Sequence, residues 1–440
     1  MNHTAPIPAQ RRILLACLLA CLVAGPALAG VGCPATSVYE GDEMPYQDCV
    51  PQVAQTQRFG VGATQVRIAA ECTDPAVRAV PQKLHMVIVP DQVTRPQLWL
   101  HLGGTGTGVV SGNPGNSQNI GTAAASLGYR FISLAYPNRR SVADRCFCPG
   151  LGPRSPACAG EIRAELLYGV DLTDDFVMVA SESVVHRLRA LLQWLHASDP
   201  GGGWQAYLDA DGDPNWPMIA VSGFSQGGGM TGVLARDQPL ARAVYFSKAA
   251  DAVATVELDP YSAQACTVHE ECSSLRCCSL AEPDCAVPPA GGGICMIPVP
   301  APWAHQGRDI DGDGIGDGGV ETRAVPGSRQ FMLVHRCEDA WLSSPAVSAL
   351  WRMGDRSRFE LVGHGLAEGD GGRLFATDIQ PGPGCSAHQS IAVDACQPTL
   401  ANGLPVMWTA WRLMMASDWL AGDDFEVHVE PPAPTGCPVP

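Results

Sequence analysis

Short apolar runs alternate with longer amphipathic segments along most of this chain. "LWLHLGG" at 98–104 and "YRFISLAYP" at 129–137 read as buried strands, and "NSQNIGTAAASLG" between them supplies a short crossover helix. "DDFVMVASESVVHRLRALLQWLHAS" at 174–198 places apolar residues at helical spacing after an acidic start. "WPMIAVSG" at 216–223 is again a continuous apolar run, and "QGGGMTGVLAR" follows it as a helix. Further strands are predicted in "RAVYFS" (242–247), "RQFMLVH" (329–335) and "RFELVG" (358–363), with helices in "SPAVSALWRMG" and "PVMWTAWRLMMASDWL". Strand runs apolar at every position belong to sheets covered on both faces, and their alternation with helices predicts an α/β fold with a mainly parallel, doubly wound sheet.

One segment breaks the alternation. About eighty residues separate the strand runs at 242–247 and 329–335, far more than an ordinary connection needs. Cys266, Cys272, Cys277, Cys278, Cys285 and Cys295 crowd into it among Pro and Gly. It reads as a disulfide-stapled insertion with little apolar core of its own. The organisation expected is a leader at 1–29, a core from 30–250, the Cys-rich insertion at 251–327, and the rest of the core at 328–440.

The first 29 residues have the pattern of an export signal: Arg11 and Arg12, the apolar run Ile13 to Ala24, then Ala27-Leu28-Ala29 before Gly30. The run is too short to span a bilayer, so a secreted or periplasmic protein cleaved after Ala29 is expected, without a transmembrane segment. Cys21 follows Leu18-Leu19-Ala20 as a lipoprotein site would, but the residues after it stay apolar. The whole chain has 28 Lys and Arg against 44 Asp and Glu, a net charge of −16. Cleavage removes two arginines and no acid, giving −16 − 2 = −18. Such a charge argues against nucleic acid or an anionic membrane as partner. Of 18 cysteines, Cys17 and Cys21 leave with the leader; an even number in an exported chain favours disulfides over zinc.

Candidate chemistry centres on "VSGFSQGGGM" at 221–230. Gly223-Phe224-Ser225-Gln226-Gly227 fits G-x-S-x-G, and a strand precedes it while a helix follows, the context in which a serine is exposed at a sharp elbow. A serine nucleophile needs a base within hydrogen-bond reach and a third group to orient that base. In a doubly wound hydrolase the chain order is serine, acid, histidine. "FMLVHRCEDAW" delivers Glu338 and Asp339 after a strand. Asp339 is the first choice as acid, with Glu338 and Asp251 as alternatives. For the base, His388 in "CSAHQSIAVDAC" is preferred to His364. "GHGLAEGDGGRLFATD" reads as a hairpin turning at 369–372 that keeps His364 within sheet, and a Cys385–Cys396 disulfide would fix the His388 loop. Gln226 and either Gly104 or Thr105 of "HLGGTGTG" are the expected oxyanion N–H donors. That glycine loop fits neither G-x-G-x-x-G nor the P-loop, and the chain carries no H-E-x-x-H.

Four pieces in this order, "HLGGTG", "GFSQG", "HRCED" and "CSAHQS", resemble the α/β-hydrolase superfamily, and "GFSQGGG" is similar to the elbow of its secreted bacterial esterase and lipase-like members. The resemblance implies a Ser225–Asp339–His388 triad, a covalent acyl-enzyme, ester hydrolysis and no catalytic cofactor. The partner so implied is a small-molecule or polymeric ester. Phe224 stands where those members often have His or Tyr, and the insertion lies where many carry a lid. Peptidase or amidase activity on the same triad, or a non-catalytic secreted binding protein with a degenerate triad, are the alternatives.

"DIDGDGIGDGGVE" adds a structural expectation. Asp309, Asp311 and Asp313 hold positions 1, 3 and 5 of a calcium loop, Gly314 position 6, the Ile315 carbonyl position 7 and Asp317 position 9. Val320 replaces the usual acidic residue at position 12, with Glu321 one place late. "DADGD" at 209–213 begins alike, but Pro214 stands where glycine is needed, so it reads as a turn.

Overall fold

A computed structural model describes residues 36–37, 49–79, 83–110, 117–148, 152–153, 156–173, 176–258, 265–266, 277–278, 293–311, 313–353, 360–361 and 373–416. The leader, the insertion's residues 259–264, 267–276 and 279–292, His364 and residues 417–440 lie outside this set.

The strands of one 11-stranded sheet organise the chain. In chain order, β1 spans Gln52–Arg58, β2 Val61–Ala69, β3 Lys83–Pro90, β4 Leu98–Leu102, β5 Arg130–Leu134, β6 Ile219–Phe224 and β7 Arg242–Phe246. β8 (Ala252–Leu258) and β9 (Gly293–Pro300) belong to the insertion; β10 (Gln330–His335), β11 (Glu360–Leu361) and β12 (Leu374–Thr377) return to the main sheet. Across the sheet the order is β11-β12-β10-β7-β6-β4-β5-β3-β2-β1, and the two-residue strand Val109–Val110 pairs with β3. Neighbours from β5 to β11 run parallel; β3 is antiparallel to β5, and β1 to β3 form an antiparallel meander.

Helices α1 (Gln118–Ser126), α2 (Cys158–Tyr168), α3 (Val184–Ser198), α4 (Gln226–Asp237) and α5 (Asp339–Leu350) lie between strands, and α6 (Ala387–Ser390) and α7 (Trp408–Met415) follow β12. Because strand side chains alternate between faces, each apolar run feeds two cores. Leu98, Leu100, Leu102, Val221, Ala243, Tyr245 and Met332 pack with Leu166 of α2, Leu188 and Leu191 of α3 and Met230 of α4. Trp99, Ala220, Phe224, Val244, Phe246, Phe331 and Leu333 face the other way, against Ile120 of α1 and Trp408, Trp411 and Met414 of α7. The chain therefore has the α/β fold and the doubly covered, mainly parallel sheet expected of it.

Three local readings change. The amphipathic stretch from 174 is not one helix. Phe176–Val177 is extended, and α3 begins at Val184, where Ser183 Oγ accepts from His186 N–H as N-cap. β11 and β12 pair parallel, so they are not the two arms of the predicted hairpin, whose turn at 369–372 lies outside the described residues. The meander β1 to β3 is absent from the sequence reading, since β1 ("QVAQTQR") is largely exposed and carries almost no apolar signal. Within the insertion, β8 and β9 pair antiparallel and Cys277 sits opposite Cys295 in register; its cysteine side chains fall outside the described ones. Among the described residues no helix is long and apolar enough to cross a membrane.

Candidate active site

The turn from β6 into α4 is sterically closed. A Cβ on Gly223 would lie 2.0 Å from the Gly227 carbonyl oxygen, and one on Gly227 would lie 1.9 Å from that of Leu102. Both glycines of G-x-S-x-G are thus required by backbone contact. Between them Ser225 adopts φ 55° and ψ −114°, a conformation a non-glycine residue holds only when its surroundings enforce it. Its N–H donates to the Phe246 carbonyl at 2.9 Å, which pins the elbow to the next strand. Ser225 is the N-cap of α4, a position where serine normally accepts a bond from the first turn, yet its side chain makes no such bond.

His388 lies beside this elbow. Its ring centroid is 4.9 Å from that of Phe224, and its backbone carbonyl accepts from Ser247 Oγ at 3.2 Å. The segment "CSAHQS" fixes the histidine locally. Cys385 and Cys396 form a disulfide, as expected, and Ser386 and Gln389 close a capping box around α6. Asp394 ties the same loop to the core by accepting from the N–H groups of Gln118 and Asn119 at 2.8 and 3.1 Å at the start of α1. Burial raises this carboxyl to a pKa of about 7.

The carboxylate on His388 is that of Glu338: Oε2 lies 2.5 Å from Nδ1. The first-choice acid, Asp339, is the first residue of α5, and its side chain lies outside the described ones. Glu338 precedes the helix in an extended conformation, and its other oxygen accepts from His335 N–H at 2.7 Å. His335 ends β10, fully buried. Its Nδ1 accepts from Cys337 N–H at 3.0 Å and its Nε2 donates to the Ile379 carbonyl at 2.9 Å, which assigns a neutral ring with the proton on Nε2. Burial lowers its pKa in keeping with this. The sequence reading missed His335; its only signal was a histidine closing an otherwise apolar strand just before the acidic pair.

The glycine loop after β4 faces the elbow. A Cβ on Gly104 would lie 3.1 Å from Ser225 Cβ and 2.8 Å from Phe224 Cδ1, so only glycine leaves the approach open. The loop's carbonyls are taken from behind: Tyr136 donates to Gly103, and Asn138 Nδ2 to Gly104 and Thr107. The N–H groups of Gly104, Thr105 and Gln226 have no hydrogen-bond partner among the described residues. Gln226 opens α4, where such N–H groups are orphaned by helix geometry.

Asp251, the other alternative acid, is committed elsewhere. Arg163 Nε and Nη2 hold its two oxygens at 2.7 and 2.8 Å, Lys248 Nζ lies at 2.8 Å and Trp303 Nε1 at 3.2 Å. Burial opposes the charge, but Arg163 and Lys248 outweigh it and hold the carboxyl well below the usual carboxylate range. Arg163 Nη1 also donates to the Gln226 carbonyl at 2.9 Å, so this buried pair underlies the elbow.

In the Asp-rich loop, Asp309, Asp311 and Asp317 bring ligand atoms within 4.8 Å of one another. Gly314 turns with φ +88°, and its carbonyl accepts from Arg236 Nη2 at 3.1 Å. Asp313 stands outside that group, accepting from Ile315 N–H at 2.7 Å. Val320 opens a 3₁₀ turn with Glu321.

No family model and no curated protein matches the chain. Among solved structures it is similar to acetyl xylan esterase 1 from Thermoanaerobacterium sp. (13% identity, 47% of this chain and 56% of that one, TM-score 0.22). It is also similar to a Paenibacillus acetyl xylan esterase (16%, 45% and 53%, 0.22) and a Lactobacillus plantarum tannin acyl hydrolase (15%, 42% and 36%, 0.22). The chain spans about half, or less, of the length of these proteins, and so distant a likeness carries no argument about activity.

Arg163→Met leaves the Asp251 carboxylate buried with only Lys248 as counter-charge, and should cost about 3–5 kcal/mol in urea unfolding at pH 7. Because the folded pKa of Asp251 is depressed, its contribution is present above the unfolded value near 4 and is lost as pH falls below it. The gap between wild type and variant should therefore shrink as pH drops below about 4.

Proposed function

We propose that this protein is a secreted serine hydrolase that cleaves esters through a covalent acyl-enzyme, with Ser225 as nucleophile, His388 as base and Glu338 as the orienting acid. The observation that carries the reading is a serine held at φ 55° whose hydroxyl makes no capping bond, beside a histidine whose Nδ1 is already engaged by a buried carboxylate. A capping or structural serine has no need of either.

Ser225 Oγ attacks the ester carbonyl carbon and its proton passes to His388 Nε2. Glu338 holds the ring with its Nδ1 proton inward and stabilises the imidazolium that forms. The developing oxyanion is met by the N–H of Gln226 and by that of Gly104 or Thr105. Collapse breaks the carbon–oxygen bond, and Nε2 returns the proton to the departing alcohol. Water then attacks the acyl-enzyme, gives a proton to Nε2 and leaves as part of the acid, while Ser225 recovers its hydrogen. No step calls for a cofactor. The same machinery would act on amides, so acyl and peptide substrate panels distinguish the two. The degenerate-binding-protein reading is disfavoured by the intact His388–Glu338 pair.

Ser225→Ala and His388→Ala should each lower kcat by at least about 10⁴-fold on a reactive ester while the unfolding temperature stays close to wild type. His364→Ala should retain activity. Absence of fluorophosphonate labelling at Ser225 in the wild type would reject the reading.

The loop at 309–317 is proposed to hold a structural calcium ion. Three convergent carboxylates and a glycine at the turn fit a hard cation, while Val320 denies it the usual bidentate closure. Binding is expected in the range of about 10⁻⁴ to 10⁻³ M. Millimolar calcium should raise the unfolding temperature of the wild type and not that of Asp311→Ala; equal responses would leave the aspartates as a solvated loop.

A further inference from the structure

Two consecutive residues at the end of β7 reach every part of the candidate triad. The Phe246 carbonyl accepts from the N–H of Ser225 at 2.9 Å. Ser247 follows at once, and its Oγ donates to the backbone carbonyl of His388 at 3.2 Å. The Ser247 N–H donates to the Leu333 carbonyl of β10 at 2.8 Å. Leu333 stands two residues before His335, whose N–H holds Glu338. One dipeptide therefore meets the segments that carry candidate nucleophile, base and orienting acid.

Ser247 is fully buried and adopts φ 66°. A Cβ makes that conformation costly, whereas glycine would adopt it freely. The surroundings enforce it: Leu333 fixes the residue's own N–H, and on the far side Lys248 Nζ is held by Asp251 at 2.8 Å. The Lys248 carbonyl also packs against α4, where a Cβ on Gly228 would lie 1.8 Å from it. What serine offers here and glycine does not is a hydroxyl. His388 has a use for one. α6 is only four residues long, so its carbonyls lack the full set of helical partners. The N–H groups of Ile391 and Ala392 both turn to the Gln389 carbonyl rather than to that of His388. Among the described residues the donor that meets the His388 carbonyl is Ser247 Oγ.

We propose that Ser247 is a positioning residue for the reaction: it holds the His388 main chain on the strand end that also holds the Ser225 N–H, and so sets the approach of the imidazole to Ser225 Oγ. The inference rests on the serine-hydrolase reading with His388 as its base. A proton passes efficiently only across a hydrogen-bond distance, and a displacement of about 1 Å can cost about 10²-fold in rate. Because the two anchors are adjacent in sequence, nucleophile and base move together when the end of β7 moves. Ser247 touches no substrate and carries no proton in the reaction; it acts through His388.

The test uses the full chain and pairs Ser247→Ala with Ser247→Gly. Both remove the hydroxyl, and only glycine also removes the strain. Unfolding temperature should therefore separate the two, with Ser247→Gly the higher. On a reactive ester kcat should fall about tenfold in both, with KM nearly unchanged. The rate of fluorophosphonate labelling at Ser225 should fall in parallel, because it draws on the same base. In a His388→Ala background, Ser247→Gly should lower kcat no further, since its effect passes through the imidazole. A residue that only stabilises the fold gives another pattern: kcat per folded molecule within twofold of wild type, or a loss that follows unfolding temperature and is larger in Ser247→Ala. Either result overturns the proposal, as does a further tenfold loss in the His388→Ala background. Should Ser247→Ala fail to fold, Ser247→Gly decides alone, by its kcat and by the His388→Ala background. Inactive Ser225→Ala and His388→Ala beside fully active Ser247 variants would remove this inference and leave the hydrolase reading standing. A wild type that neither labels nor cleaves esters removes the parent reading and this inference with it.

Discussion

The backbone contact between the carbonyl of Leu102 and the α-carbon of Gly227 sets the terms for everything around it. It draws the first turn of α4 against the end of β4, so the chain leaving β6 must reverse within a single residue. Ser225 takes that reversal at φ 55°, and the N–H it presents to Phe246 keeps the strain local. The same approach places the glycine loop after β4 against Ser225, where Gly104 leaves room that any Cβ would fill. Candidate nucleophile and candidate oxyanion donors are therefore one packing event, paid for by the two cores that clamp β4, β6 and β7 from both faces.

A second layer keeps this geometry rigid. Arg163 and Asp251 form a buried, bidentate pair under the elbow and reach the Gln226 carbonyl. On the other side, Asp394 joins the His388 loop to the start of α1, and the 385–396 disulfide closes that loop. Glu338 is held by the His335 N–H, at the end of a strand whose histidine is itself locked in one tautomer. Each group of the candidate triad thus rests on a strand end or a stapled loop, and little depends on surface ion pairs.

The central parallel strands were legible in the sequence because continuous apolar runs such as "LWLHL" and "IAVSGF" have only one use, burial on both sides. The meander β1 to β3 was not, since its outer strand is polar and exposed and offers no apolar run to mark it. Ser225 and His388 were singled out by motif order and by the cysteines flanking the histidine, and the structure places the elbow and the His388 loop side by side. Which carboxylate meets His388 could not be fixed, because Glu338 and Asp339 are adjacent and only the start of α5 separates them. Glu338 lies before the helix in extended backbone and so reaches His388, whereas Asp339 already follows the helical path. Sequence spacing carries no information on that single step. His335 was hidden for a related reason: its role is to shape a turn, and turns built on a buried ring leave no periodic signal.

The central claim is that Glu338 orients His388 for Ser225, and one comparison reaches it directly. Glu338→Gln preserves shape and burial but removes the charge and favours the wrong histidine tautomer. Its kcat on a reactive ester should fall by about 10³ to 10⁴-fold, with KM little changed, while Asp339→Asn should stay within a few-fold of wild type. The reverse outcome, an active Glu338→Gln beside an inactive Asp339→Asn, would contradict the account and move the acid one residue along the chain.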